Sequence, residues 1–271
     1  MQPFKLFKTL LLIVNLLFAI QINAQHFSYK MLGDIVYTNH KDNYSHQRCK
    51  LDVYFPEDKK DFITIVWFHG GGLTGGTKEI PSYLKDKGVA VVGVGYRLSP
   101  QANVENIIED AADAVKWTFE NVESWGGSKQ KIVVAGYSAG AYLSLMLALN
   151  QEYLLKRALT PKNLLGVVSF SAQTITHFTA RKEKQIPDLQ PTIDKLAPLY
   201  WVRKDVPKIL LMTGGRDLEM MGRYEENAYL LRMLKLHGNT NVELFELAGY
   251  GHNMDYPAYP LLLETLKKWD K

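Results

Sequence analysis

From residue 29 onward the chain alternates short apolar runs with longer segments whose apolar residues recur every three or four positions. Tyr29–Tyr37 and Cys49–Phe55 come first. In the second, Leu51, Val53 and Phe55 alternate with polar residues, the period of two of a strand with one wet face, and the pair reads as an antiparallel edge hairpin ended by Pro56. The pattern then changes. Ile63–Phe68 and Val89–Val94 are continuous apolar runs, as expected of strands buried on both faces. Lys131–Ala135, Leu164–Phe170, Lys208–Met212 and Val242–Leu247 repeat the theme. Between them, Val104, Ile107, Ile108, Ala111, Val115 and Phe119 form one helical stripe. Leu143, Leu147 and Leu149 mark a second helix, and Tyr229, Leu230, Met233 and Leu234 a third. Such alternation predicts an α/β fold, a mostly parallel central sheet flanked by helices. One stretch breaks it. Residues 172–205 carry Pro187, Pro191, Pro198 and a charged run at Arg181–Lys184, and are expected to form a lid-like excursion between two core strands.

The first residues follow another logic. Lys5 and Lys8 precede an apolar run from Leu10 to Ile20, about 11 residues where a membrane span needs roughly 20. A basic start, a short apolar stretch and a small residue at Ala24 read as a secretory signal peptide over residues 1–24. Residues 25–271 are then a single catalytic domain, exported to the periplasm or the outside, with no transmembrane anchor once the signal is removed. Composition excludes other classes. Lys and Arg number 32 against 28 Asp and Glu, a net charge of +4 with no clustered basic stripe, so nucleic acid is not an expected partner. The single cysteine, Cys49, rules out an internal disulfide framework and a cysteine zinc site.

Chemistry enters at Gly136-Tyr137-Ser138-Ala139-Gly140, which follows one strand run and opens the second helix. A G-x-S-x-G elbow in that strand–turn–helix setting pushes a serine oxygen out above the sheet, at a helix N-terminus that favours developing negative charge. His69-Gly70-Gly71-Gly72 follows the strand ending at Phe68, and its glycines leave backbone amides bare. The amides of Gly71, Gly72 and Ala139 are the expected oxyanion hole. His69, within that loop and before the nucleophile, reads as structural. An acid and a base should follow in that order. Thr213-Gly214-Gly215-Arg216-Asp217 lies after one strand, with Glu219 as the competing carboxylate two residues on. Gly249-Tyr250-Gly251-His252 lies after the last. Ser138, Asp217 and His252 are therefore the expected triad. His237 and His177 read as surface residues. Tyr137 and Tyr250, beside nucleophile and base, are candidates to line the substrate pocket. Arg223, Glu225 and Glu226 belong to a helix start, read first as a solvated face, with a reach toward the active site as the alternative. The chemistry requires no metal and no organic cofactor.

These motifs resemble the α/β-hydrolase superfamily. The His69–Gly72 loop with Gly95-Tyr96-Arg97-Leu98-Ser99-Pro100 is similar to the hormone-sensitive-lipase-like branch. That likeness implies a structural Arg97 tied to a helix carboxylate such as Asp110 or Asp113. The signal sequence and Gly222-Arg223-Tyr224-Glu225-Glu226-Asn227 resemble bacterial bifunctional acetylxylan and feruloyl esterases. The resemblance implies a serine esterase acting on acetyl or feruloyl esters of plant polysaccharide. An arylformamidase-like amidase, a generic short-chain carboxylesterase and an inactive binding protein of this fold are the alternatives. Two features depart from the lipase pattern: the N-terminal helical cap is missing, and Leu73-Thr74-Gly75-Gly76 lacks the large aromatic often found beside this loop.

Overall fold

The computed structural model describes residues 27–271; the expected signal peptide, residues 1–24, lies outside them. The strands are β1 (Tyr29–Val36), β2 (Lys50–Pro56), β3 (Phe62–Phe68), β4 (Ala90–Val94), β5 (Gly127–Tyr137), β6 (Gly166–Phe170), β7 (Lys208–Gly214) and β8 (Val242–Leu247). The helices are α1 (Asn43–Arg48), α2 (Val104–Asn121), α3 (Ala139–Leu149), α4 (Glu152–Leu155), α5 (Phe178–Glu183), α6 (Arg223–Leu236) and α7 (Asp255–Trp269). All the described strands join one sheet in the order β1-β2-β4-β3-β5-β6-β7-β8. β1 and β2 pair antiparallel, β2 meets β4 antiparallel, and every pairing from β4 through β8 is parallel. This is an α/β-hydrolase sheet.

Both faces are covered, which explains the continuous apolar runs. Along β3, Phe62, Val66 and Phe68 enter one core, while Ile63, Ile65 and Trp67 enter the other. The first core is closed by α2, α3 and α6, the second by Met254, Ala258, Tyr259, Leu262 and Leu266 at and along α7. α3 is buried along its whole length, so it shows no polar stripe. α2 is amphipathic and is started by Asn103, whose side chain accepts from the Asn106 amide. Arg97 packs onto α2, chelating Asp110 with N···O distances of 2.6–3.1 Å, whereas Asp113 pairs with Arg157 instead. Cys49 is a buried free thiol, and burial, its largest influence, pushes its pKa up to about 12.

The register places the site. Phe68 pairs with Gly136, Tyr137 with Phe170, and Phe170 with Met212. The loops leaving β3, β5, β6 and β7 therefore start side by side at one edge of the sheet, where parallel α/β folds put their ligands.

Residues 172–205 form an excursion between β6 and β7 whose outer part, residues 182–195, is mostly exposed. The first part of the excursion, Ala172–Arg181, is largely buried rather than laid over the surface. The Thr174 and Ile175 amides donate to the Glu226 carboxylate, and Thr179 Oγ1 donates to the Gly72 carbonyl. Tyr142 Oη donates to the Leu196 carbonyl. The excursion is stitched to the body because Thr174 and Thr179 find backbone partners there, while Gln173 and His177 accept from amides within the excursion itself.

Candidate active site

The elbow forms as the glycine pattern requires. Ser138 sits at φ 54° and ψ −111°, an arrangement few residues adopt. It is held by its own amide, which donates to the Phe170 carbonyl at 2.7 Å, and by its carbonyl, which accepts from the Tyr142 amide. A Cβ on Gly136 would lie 2.8 Å from the Phe68 carbonyl oxygen, and one on Gly140 would collide with the same group. Only with both positions bare can β5, β3 and α3 close on one another here. Ser138 is buried to 8% exposure.

His252 arrives from the loop after β8. Its Nε2 lies 2.9 Å from Ser138 Oγ, and its Nδ1 lies 2.8 Å from Glu219 Oε1. A ring nitrogen facing a carboxylate carries the proton, so Nε2 is the free acceptor. The backbone also locks this loop to that of the acid: the Gly215 amide donates to the Tyr250 carbonyl, and Gly214 has no room for a Cβ against Gly251. The Tyr137 ring packs on the imidazole with centroids 5.2 Å apart, and its hydroxyl donates to the His252 carbonyl at 2.9 Å. Tyr250, the other candidate, is 45% exposed.

The carboxylate at His252 is Glu219, which corrects the choice of Asp217. The Leu218 and Glu219 amides both donate to the Gly215 carbonyl, a single helical turn. That turn leaves Asp217 exposed and returns Glu219 to the sheet edge, its side chain fully buried. Burial alone raises the Glu219 pKa. Hydrogen bonds from His252, the Gly214 and Met220 amides and Ser171 outweigh it and hold the pKa lowered to about 2. Glu219 is thus ionised beside the imidazole.

Ser171 was not anticipated in this network, whereas Arg223 was expected either to reach the site or to lie on a solvated face. Ser171, the first residue after β6, donates to Glu219 Oε2 at 2.8 Å and lies 3.0 Å from His252 Nδ1. It is buried at φ 56°, and its amide donates to the Met212 carbonyl. Its carbonyl accepts from the guanidinium of Arg223, which is fully buried rather than on a solvated face. Glu226 and Asn227 are buried with it. Its place at the start of α6, directly after the acid loop, is the signal that made Arg223 a candidate. Ser171 has no motif of its own, and only the register reveals it.

The His69–Gly72 loop stands next to the nucleophile. His69 is buried, stacked on Tyr96 with centroids 4.2 Å apart, and its Nδ1 is 2.6 Å from the Gly70 carbonyl. Burial, the largest influence, lowers its pKa to about 4, so it is neutral and structural. The Gly71 carbonyl accepts from the Thr74 and Gly75 amides, and the Gly72 carbonyl from Thr179. With the carbonyls tied back, the Gly71 and Gly72 amides donate to no protein acceptor among the described residues. Neither does that of Ala139, the first residue of α3. A Cβ on Gly72 would meet the Phe178 ring at 2.9 Å, so α5 walls this loop. His177 is fully buried rather than on the surface, its ring against Tyr142 and Phe178.

Comparisons with known proteins agree with this geometry. The esterase LipC of Mycobacterium tuberculosis is 25% identical over 232 residues, 76% of this chain and 57% of that protein. The chain spans 26–57% of the length of three curated relatives, LipC included. Among solved structures, a truncated carbohydrate esterase from gut microbiota superposes with a TM-score of 0.73 at 17% identity, over 90% of this chain and 97% of that one. A bifunctional GH43-CE protein of Bacteroides eggerthii gives 0.71 at 17% identity, over 89% of this chain and 35% of that one. At such identities these two show the shared fold. The family itself is shown by the match of residues 51–223, which run from β2 through the nucleophile and acid loops to the start of α6: the chain belongs to the BD-FAE family of α/β-hydrolase esterases.

Proposed function

We propose that the protein is a serine carboxylic-ester hydrolase that works through an acyl-enzyme on Ser138. The observation that carries the proposal is the unbroken line from Ser138 Oγ through His252 to the ionised Glu219. His252 Nε2 takes the Ser138 proton as Oγ attacks the ester carbonyl. Glu219 holds the tautomer and balances the imidazolium without accepting the proton. The amides of Gly71, Gly72 and Ala139 receive the oxyanion; one such donor is typically worth about 3 kcal/mol. His252 then protonates the leaving alcohol, and water releases the acid by the same steps.

As substrates we favour acetyl or feruloyl esters on plant polysaccharide, met after export by the residue 1–24 signal. The carbohydrate esterase and the GH43-CE protein among the structural neighbours support that choice, as does the sequence resemblance to acetylxylan and feruloyl esterases. The purified protein is expected to label with a fluorophosphonate at Ser138 and to release acetate or ferulate from xylan. A folded protein that does not label overturns the hydrolase reading. Cleavage of simple aryl esters with neither product from xylan leaves a short-chain carboxylesterase, and turnover of N-formyl arylamines in preference to esters makes it an amidase.

A further inference from the structure

We infer that the cleft behind Tyr137 is a subsite for a neutral sugar ring, the carbohydrate that carries the ester. This inference rests on the ester-hydrolase reading and names where the leaving group extends. The cleft has a volume of about 520 Å³ and is formed by Trp67, Glu79, Tyr83, Tyr137, Asp255 and Tyr256, with Tyr259 at its base. It lies one ring from the chemistry. Tyr137 immediately precedes Ser138 and packs on His252, yet it also lines the cleft. Tyr137 is thus the wall shared by the cleft and the base, and a sugar held in the cleft would sit across that ring from His252.

The lining specifies the ligand. Tyr83 is wedged edge-on to Tyr256 and parallel to Tyr259, at 11° with centroids 5.5 Å apart, while Lys87 lies 5.6 Å over its ring. Tyr83 is thereby fixed as a wall. Tyr256 is 73% exposed on the first turn of α7, a large aromatic surface left to solvent beside a site. Aromatic faces carry negative quadrupoles, which attract the weakly positive C–H face of a pyranose. Two carboxylates, Glu79 and Asp255, share the lining, and the neighbouring cation, Lys87, stands over the Tyr83 ring rather than in the lining. Glu79 uses Oε1 to accept from Trp67 Nε1, which orients the group, and Oε2 accepts no hydrogen bond among the described residues. Carboxylates accept hydroxyl protons and repel anions, so a neutral, hydroxyl-rich ring fits where a uronate or a phosphate does not.

The test uses the full chain and xylohexaose, an unesterified neutral oligosaccharide. Xylohexaose is expected to bind Ser138→Ala protein in a calorimetric titration and to lose that binding in Ser138→Ala/Tyr256→Ala. In the active enzyme, Tyr256→Ala should lower the ratio of kcat/KM on acetylated xylo-oligosaccharide to kcat/KM on p-nitrophenyl acetate about tenfold. Tyr229→Ala, an exposed tyrosine on α6 away from the cleft, is expected to leave the ratio unchanged. Absence of xylohexaose binding, or a ratio that Tyr256→Ala does not move, overturns the subsite. So does an effect of Tyr256→Ala confined to methyl ferulate, which would make the cleft an aryl site. Failure of the hydrolase reading is separate and visible: the wild-type protein would then not label at Ser138.

Discussion

Asp217 and Glu219 sit two positions apart on one loop, and only one of them reaches the imidazole. Replacing Glu219 by Gln keeps its shape but removes the charge that holds His252 in its working tautomer. A loss of about 10⁴ in kcat is expected, the cost of the same change in other triads. Asp217→Asn alters an exposed side chain and should leave kcat within about threefold. The opposite order in steady-state assays would return the acid role to Asp217. The pH dependence follows with its sign. The folded pKa of Glu219 is depressed to about 2 from the ordinary 4.5. Its contribution to stability is thus complete above the unfolded value and lost as pH falls from 4.5 toward 2. Glu219→Gln should abolish that part of the acid destabilisation in denaturant titrations. Ser171→Gly tests the second partner: glycine tolerates the positive φ and removes the hydroxyl together with its Cβ. It should lower kcat about tenfold or more, the worth of a hydrogen bond to a charged group, with KM little changed. At this scale Ser138 and His252 stood out in the sequence because each lies in a glycine-flanked turn after an apolar run. Glu219 did not, because choosing between two nearby carboxylates depends on the one helical turn that the Gly215 carbonyl accepts.

The strands were the most legible elements. Continuous burial on both faces leaves an unmistakable apolar run, and the structure places strands at every position those runs mark. α2 was equally plain because one of its faces is wet. α7 was not. Pro257 and Pro260 fall in its first six residues and look like breakers, yet the helix continues through Pro260 because the Met254–Leu266 face is seated against the sheet. Residues 172–205 were legible as an excursion but not as a support. Proline and charge describe its outer part, whereas its function as a brace comes from Thr174 and Thr179, which touch backbone groups distant in sequence. Thr179→Val probes the brace. It leaves the Gly72 carbonyl without that donor, for about 1–3 kcal/mol of stability. Because the same carbonyl belongs to the oxyanion loop, kcat should fall with it. A variant that loses stability but keeps kcat would show that α5 supports the fold and not the loop.

On the scale of the whole molecule, α7 links the base to the far end of the sheet. It begins three residues after His252, runs down the second core, and ends with Trp269 over Gly166 at the start of β6. Gly166 is bare for that reason: any Cβ there would penetrate the Trp269 ring. The contact anchors the helix tail, while Met254 and Ala258 anchor its head beside the site. Gly166→Ala should therefore overpack this end at about 1–3 kcal/mol, roughly 2–4 °C in Tm for each kcal/mol in a chain of this size. Trp269→Ala should also destabilise, through lost burial. In the double variant the two alanines no longer compete for the same volume, so its destabilisation should be less than the sum of the single effects by about 0.5–3 kcal/mol. Denaturant midpoints of the four proteins measure that coupling directly, and strict additivity would mean the ring does not lie over Gly166. Fluorophosphonate labelling of Ser138 should be kept in folded Gly166→Ala, because the strain enters at the tail of α7 and the head is held independently by the core beneath Tyr137.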